Sequence, residues 1–175
     1  SHIIHQKITP KNNYRNPMGK VYHLDLDKKT LQGAKVALLP GDPARSGPIA
    51  EAIAKAYNGG VKKLASKREF VTHMARVGKT PVIVASTGIG GPSTAIAIDE
   101  LARLGIKSFI RGGTTGSIQN TINMGDVIIT TGSVRLDGAS RHYAPIEYPA
   151  VADFSLVTSL VEGAKKSRIP YHTGV

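Results

Sequence analysis

The stretch PVIVASTGIGGPSTAIAIDELARLGIKSFIRGG, Pro81–Gly113, carries the reading of the fold. Pro81–Ser86 is a short apolar run rich in β-branched residues, the pattern of a buried strand. A glycine-rich loop follows through Ser93, and then Thr94–Leu104 sets Ile98, Leu101 and Ala102 on one side of a helix. Gly105 stops that helix, and Ile106–Ile110 reads as the next strand. Strand, helix and strand in this order predict an α/β fold around a parallel or mixed sheet.

The same alternation extends both ways. Lys35–Pro40 predicts a buried strand between Gly33 and Gly41. Ser46–Tyr57 predicts a helix with Ile49, Ala50, Ile53, Ala54 and Tyr57 toward the core, ended by Gly59-Gly60. Phe70–Val77 reads as an exposed strand and Lys79–Pro81 as a turn. Asp126–Thr131 is a further strand, Phe154–Lys166 a helix capped by Asp153, and Tyr171–Val175 the start of another strand. No internal repeat and no linker divides residues 21–175, which are expected to form one α/β domain.

Composition narrows the function. The 175 residues contain 23 Lys+Arg against 12 Asp+Glu, and 41% are hydrophobic, which speaks against both a disordered tail and a membrane protein. There is no cysteine, so disulfides, thiolate metal sites and a Cys nucleophile are excluded. No run reaches the ~18 apolar residues of a membrane helix. Residues 1–20 carry Lys7, Lys11, Arg15 and Lys20 with no acid, and are expected to be a disordered or vector-derived basic leader. A basic nucleic-acid module is the alternative that the charge suggests, but the leader's one aromatic, Tyr14, offers no stacking platform. The histidines show no H-E-x-x-H spacing, and no G-x-S-x-G elbow is present, so neither a catalytic zinc nor a hydrolase triad is expected.

In open α/β sheets the working site lies outside the C-terminal strand ends. Three loops there suit an anion. Gly41-Asp42-Pro43-Ala44-Arg45 joins an approachable backbone to a helix start and a cation. Ser86–Ser93 resembles a nucleotide loop, yet fits neither a Walker A motif nor a dinucleotide fingerprint. Arg111 ends a strand ahead of Gly112-Gly113-Thr114-Thr115-Gly116. A buried arginine there needs a partner anion, and its planar fork suits phosphate. Each loop has a plainer alternative: a tight turn with an exposed Arg45, close packing of glycines, and an internal salt bridge for Arg111.

Taken together, these motifs resemble the nucleoside phosphorylases, and among them the uridine phosphorylases. The signature-like stretch is STGIGGPSTAIAIDEL, Ser86–Leu101. Further matching stretches are VYHL (21–24), PGDPAR (40–45), LASKREF (64–70), RGGTTGSIQ (111–119) and VRLDGASRHYAP (134–145). The resemblance spans Val21 to the end, with an insertion near Ala56–Gly60. It implies a mixed central β-sheet flanked by helices in a three-layer fold. It also implies phosphorolysis of uridine to uracil and ribose 1-phosphate in the cytoplasm. A purine nucleoside phosphorylase and an inactive phosphate-binding fragment are the alternatives. Thr114-Thr115-Gly116 favours uridine, since purine relatives more often have Ser-Cys-Gly there.

Carried over residue by residue, the resemblance implies a phosphate cradle of Gly41, Arg45, Arg111 and Thr114, with Arg45, Arg111 and Thr114 as catalytic groups. It implies that Arg68 reaches the phosphate of a neighbouring subunit and that His23 reaches that neighbour's ribose 5′-hydroxyl, with Thr114 also facing ribose. Tyr22 stands where the family often has Phe. Glu69, Ile89 and Ser93 match positions that hold potassium between paired subunits. No cofactor is implied beyond inorganic phosphate as co-substrate. The implied partners are uridine, phosphate and further copies of the chain, in a dimer or a hexamer built of dimers, without nucleic acid or membrane. The base-recognising segment and the Met-Glu ribose clamp would fall beyond Val175, so the chain is expected to be part of a longer enzyme.

Overall fold

The structure is a computed structural model and describes residues 19–175. Of the basic leader expected over residues 1–20, all but Gly19 and Lys20 lies outside the described residues. Two compact units are present: the first comprises the described residues up to Ile89 with Ser93–Gly113, the second Gly90–Pro92 with Thr114–Val175.

The first unit is built on a five-stranded sheet. Its strands are β1 (Val36–Leu39), β2 (Val61–Lys67), β3 (Phe70–Val77), β4 (Thr80–Ala85) and β5 (Ser108–Arg111). They lie in the order β2-β3-β4-β1-β5. β4, β1 and β5 run parallel, and β3 is antiparallel to both β2 and β4, so the sheet is mixed.

Two helices cover the sheet, and the period of two along each strand sorts its residues between them. Helix α1 (Pro43–Ala56) brings Ala50, Ile49 and Ile53 onto Leu38, Ala75 and Val84. Helix α2 (Gly91–Leu104) brings Ala97, Leu101 and Leu104 into a cluster with Ala37, Leu39, Met74, Ile83 and Ala85. Neighbouring strand residues thus feed opposite cores, which gives three layers. This is the mixed central sheet flanked by helices in three layers that the family resemblance implied, and it fits the α/β fold expected from the alternation of elements.

Several expectations need correction. Phe70–Val77 is not an exposed strand: Phe70, Thr72, Met74 and Ala75 are buried. β2 pairs along its outer edge and α1 packs on it, so it is interior despite His73 and Arg76. β2 was not expected at all, because its Lys62, Lys63 and Lys67 hide any apolar alternation; such lysines suit an edge strand. α1 and α2 each begin three residues earlier than their apolar spacing suggested. For α1 the reason is Asp42, whose carboxylate accepts the Ala44 N–H at 2.8 Å and nucleates the turn at Pro43.

In the second unit β6 (Val127–Thr130) pairs in parallel with β9 (Tyr171–Gly174), and α3 (Phe154–Lys166) lies between them in the chain. The Asp153 carboxylate caps α3 by accepting the Leu156 N–H at 3.0 Å, as its sequence indicated. A short antiparallel pair, β7 (Gly132–Ser133) with β8 (Ala150–Val151), brackets the segment holding VRLDGASRHYAP. Arg135 organises that segment: its guanidinium donates to the carbonyls of Ser140, Ala144, Pro145 and Tyr148 and to Ser140 Oγ. No helix among the described residues is long and apolar enough to cross a membrane.

Candidate active site

The C-terminal ends of β1, β4 and β5 meet at one edge of the first unit, and their loops are laced together by main-chain hydrogen bonds. Thr87 N–H donates to Pro40 O and Gly88 N–H to Gly41 O, both at 2.9 Å, and Gly112 N–H donates to Leu39 O at 3.3 Å. Three segments far apart in sequence therefore share one small surface.

Arg111 lies within it. Its Nη2 is 3.3 Å from where a Cβ on Gly41 would stand, and its Nη1 is 2.9 Å from the equivalent point on Gly113. The guanidinium rests between two glycines that leave room for it. The sequence suggested a buried arginine, and this is corrected: Arg111 is exposed, as the last residue of a strand that opens into a glycine loop. No internal ion pair holds it among the described residues. Its charge is therefore available to an anion arriving from solvent.

Arg45 is exposed in the first turn of α1, beside the same loop. The start of α1 is partly satisfied from within, since Asp42 already accepts an N–H there. An anion arriving at this end would meet the Arg45 side chain and the Gly41 backbone more than an open helix terminus. Thr114 opens the second unit and is exposed.

A second cluster forms around Gly88, whose φ of 71° lies in the left-handed region. A Cβ here would stand 2.7 Å from Glu69 Cγ and 3.0 Å from Ser93 Oγ. Only glycine lets the carboxylate-bearing residue and the hydroxyl close on this spot. Buried Ser86 holds Glu69 from behind: its hydroxyl donates to Glu69 O at 2.6 Å and accepts the Val71 N–H at 2.7 Å. The Ile89 side chain is 99% exposed. Carboxylate, hydroxyl and backbone carbonyls are oxygen donors suited to a hard cation, so the residues fit the expected potassium. Among the described residues no group of three or more His, Asp or Glu could hold a metal ion.

Arg68 sits at the tip of the β2–β3 hairpin, where Lys67 pairs with Phe70. It is exposed, with φ at 53°. An arginine costs energy in that conformation, where glycine or asparagine is usual. The neighbouring Lys67 donates to Tyr22 O, and its ammonium stands 4.2 Å from the Tyr22 ring centre. The hairpin carrying Arg68 is thereby tied to the segment carrying His23.

Residues 35–175 match the sequence model described as Phosphorylase superfamily. The chain belongs to the phosphorylase superfamily. Among curated relatives, this superfamily member is 58% identical over 155 residues to the uridine phosphorylase of Escherichia coli K12, covering 89% of this chain and 59% of that protein. It is 52% identical over 158 residues to the Haemophilus influenzae uridine phosphorylase, covering 90% and 61%. A guanosine phosphorylase of Halorubrum lacusprofundi is 36% identical over 157 residues, covering 90% and 62%. The chain thus spans about three-fifths of the length of these relatives.

In this phosphorylase-superfamily chain, one residue given no role by the sequence reading stands out. Glu100 is only 6% exposed and accepts hydrogen bonds from His23 and Leu24. A signal for it was present: it shares the core-facing stripe of α2 with Ala97, Leu101 and Leu104, where a carboxylate needs a dedicated partner.

Proposed function

We propose that the protein catalyses phosphorolysis of uridine to uracil and ribose 1-phosphate. The observation that carries this reading is the 58% identity to a uridine phosphorylase across 89% of the chain. The lower identity of 36% to a guanosine phosphorylase weighs against the purine alternative.

The geometry has a natural use in that reaction. Phosphate is itself the nucleophile, so no Ser or Cys is needed. Arg111 and Arg45 neutralise and orient the anion over the Gly41 backbone, and the family resemblance, not the geometry, adds the Thr114 hydroxyl as a further donor. A phosphate oxygen forms the bond to C1′ as the glycosidic C1′–N bond breaks, and that bond's electron pair leaves with uracil, which takes up a proton. The bound anion stabilises the positive charge developing on the ribose.

The reading extends to assembly. A neighbouring copy supplies Arg68 to the phosphate and His23 to the ribose 5′-hydroxyl, in a dimer or a hexamer of dimers. Glu69, Ser93 and the main chain at Ile89 would hold a potassium ion between paired subunits. Under this proposal the enzyme lies in the cytoplasm.

The test is an assay of the full-length protein on uridine, inosine and guanosine, with and without phosphate. Phosphate-dependent release of uracil with ribose 1-phosphate is expected. Release from inosine or guanosine alone, or uracil release independent of phosphate, would overturn the proposal.

A further inference from the structure

Glu100 binds the His23 segment through both carboxylate oxygens. Oε1 lies 2.8 Å from His23 Nδ1 and 3.0 Å from His23 N, and Oε2 accepts from His23 N at 3.1 Å and Leu24 N at 2.9 Å. These contacts join positions 76 and 77 residues apart. The imidazole also meets the Phe70 ring edge-to-face at 6.3 Å and the Tyr22 ring at 5.0 Å. The ring is thus held in direction by a carboxylate and in plane by two aromatics, while remaining partly exposed.

A carboxylate only accepts hydrogen bonds, so the 2.8 Å contact puts the proton of a neutral His23 on Nδ1. Nε2 is then left bare, an acceptor for a hydroxyl. We propose that Glu100 is a positioning residue: it fixes the orientation and tautomer of His23 so that Nε2 accepts the hydrogen bond of a ribose 5′-hydroxyl in a neighbouring copy's site. This inference rests on the uridine reading above. It adds a reason for burying an acid in α2, since a core position filled by Leu would leave the ring free to rotate and the two N–H groups unpaired.

Two measurements on the full-length protein test it. The first needs no variant: nitrogen NMR of the histidine side chains is expected to show neutral His23 as the Nδ1–H tautomer, and the Nε2–H tautomer would overturn the proposal. The second compares kcat/KM for uridine and 5′-deoxyuridine in the wild type, Glu100→Gln, His23→Ala and the double variant. An amide places an NH2 donor where a carboxylate oxygen accepted. Glu100→Gln is therefore expected to lose roughly tenfold on uridine and little on 5′-deoxyuridine, with no further loss when His23 is already Ala. Equal losses on both nucleosides, or independent losses in the double variant, would show a merely structural role and overturn the proposal. A wild type that cleaves neither nucleoside refutes the uridine reading instead, and the tautomer then decides on Glu100 by itself.

Discussion

Gly59 lies so close to Arg76 that a Cβ on the glycine would stand 2.2 Å from the arginine's carbonyl oxygen and 3.0 Å from its carbonyl carbon. The obstacle is backbone in β3, which cannot swing aside. Gly59 also donates its N–H to Ala54 O at 2.8 Å, closing the end of α1 against the sheet. Gly59→Ala is expected to destabilise the protein by about 1–3 kcal/mol, the usual range for overpacking. Gly60→Ala, with no atom within 4 Å of its Cβ position, serves as the near-neutral control. Denaturant titration of both variants checks this, and equal stabilities would refute it.

Ser46 is fully buried and spends its hydroxyl proton on Val84 O at 2.9 Å, so His73 Nδ1–H must donate to Ser46 Oγ, also at 2.9 Å. Burial, helped by the nearby Lys63, holds the His73 pKa below its usual 6.5, with Glu51 opposing. The unfolded chain then binds more protons than the folded one once pH falls below 6.5. Stability is expected to be full above that pH and to decline as pH falls toward the depressed folded value. A separate loss is expected below 3.8, where Asp27, Asp126 and Asp137, all held down by hydrogen bonds, take up protons. Melting temperature against pH, for wild type and His73→Phe, tests the assignment: the first decline should vanish in the variant.

Arg111→Ala is expected to cut kcat/KM for phosphate by about a hundred- to a thousandfold while leaving the melting temperature unchanged, since its guanidinium supports no ion pair in the described fold. Gly41→Ala tests the same site from the other side. Its new methyl would press on Arg111 Nη2 at 3.3 Å and Gly88 O at 3.4 Å, so a raised KM for phosphate is expected. Phosphate kinetics unaffected by both changes would remove Arg111 from the site.

Arg68→Gly trades function for stability. Glycine relieves the left-handed conformation, where φ is 53°, and is expected to stabilise the hairpin by about 1 kcal/mol. Under the proposed sharing of Arg68 between subunits, phosphorolysis should fall in the same variant. Parallel melting and rate measurements check both halves, and retained activity would contradict sharing of Arg68 between subunits.

Arg135 holds four carbonyls of its loop with one guanidinium. Arg135→Ala removes a charged donor from all four, although Ser140 O and Pro145 O keep main-chain N–H donors, and limited proteolysis is expected to cut faster between residues 136 and 148. Lysine, a point charge without the planar fork, is expected to rescue only part of the protection. Identical digestion of all three proteins would refute the role.

Fold class was legible because it depends on period. The apolar runs of β1, β4 and β5 and the helical spacing of α1 and α2 follow from adjacent residues, and neighbouring side chains decide them. The motifs of the glycine-rich loops at the strand ends were legible for a similar reason: each is contiguous, and glycine next to arginine has a meaning within a few residues. Asp153 could be read as a cap because a cap acts on the very next turn.

What stayed hidden depends on partners far along the chain. β3 looked exposed because β2, which covers its edge, carries lysines and no apolar rhythm. Arg111 looked buried because the room left by Gly41, brought over from another loop, was not visible beside it. Glu100 was one acid among helix residues until folding set it against His23, and only that contact explains why a carboxylate is worth burying. Periodicity and short motifs arise from local sterics and hydrogen bonding, so they can be read from sequence; burial, ion pairing and the choice of a histidine tautomer are set by contacts between distant segments, and those exist only once the sheet has formed.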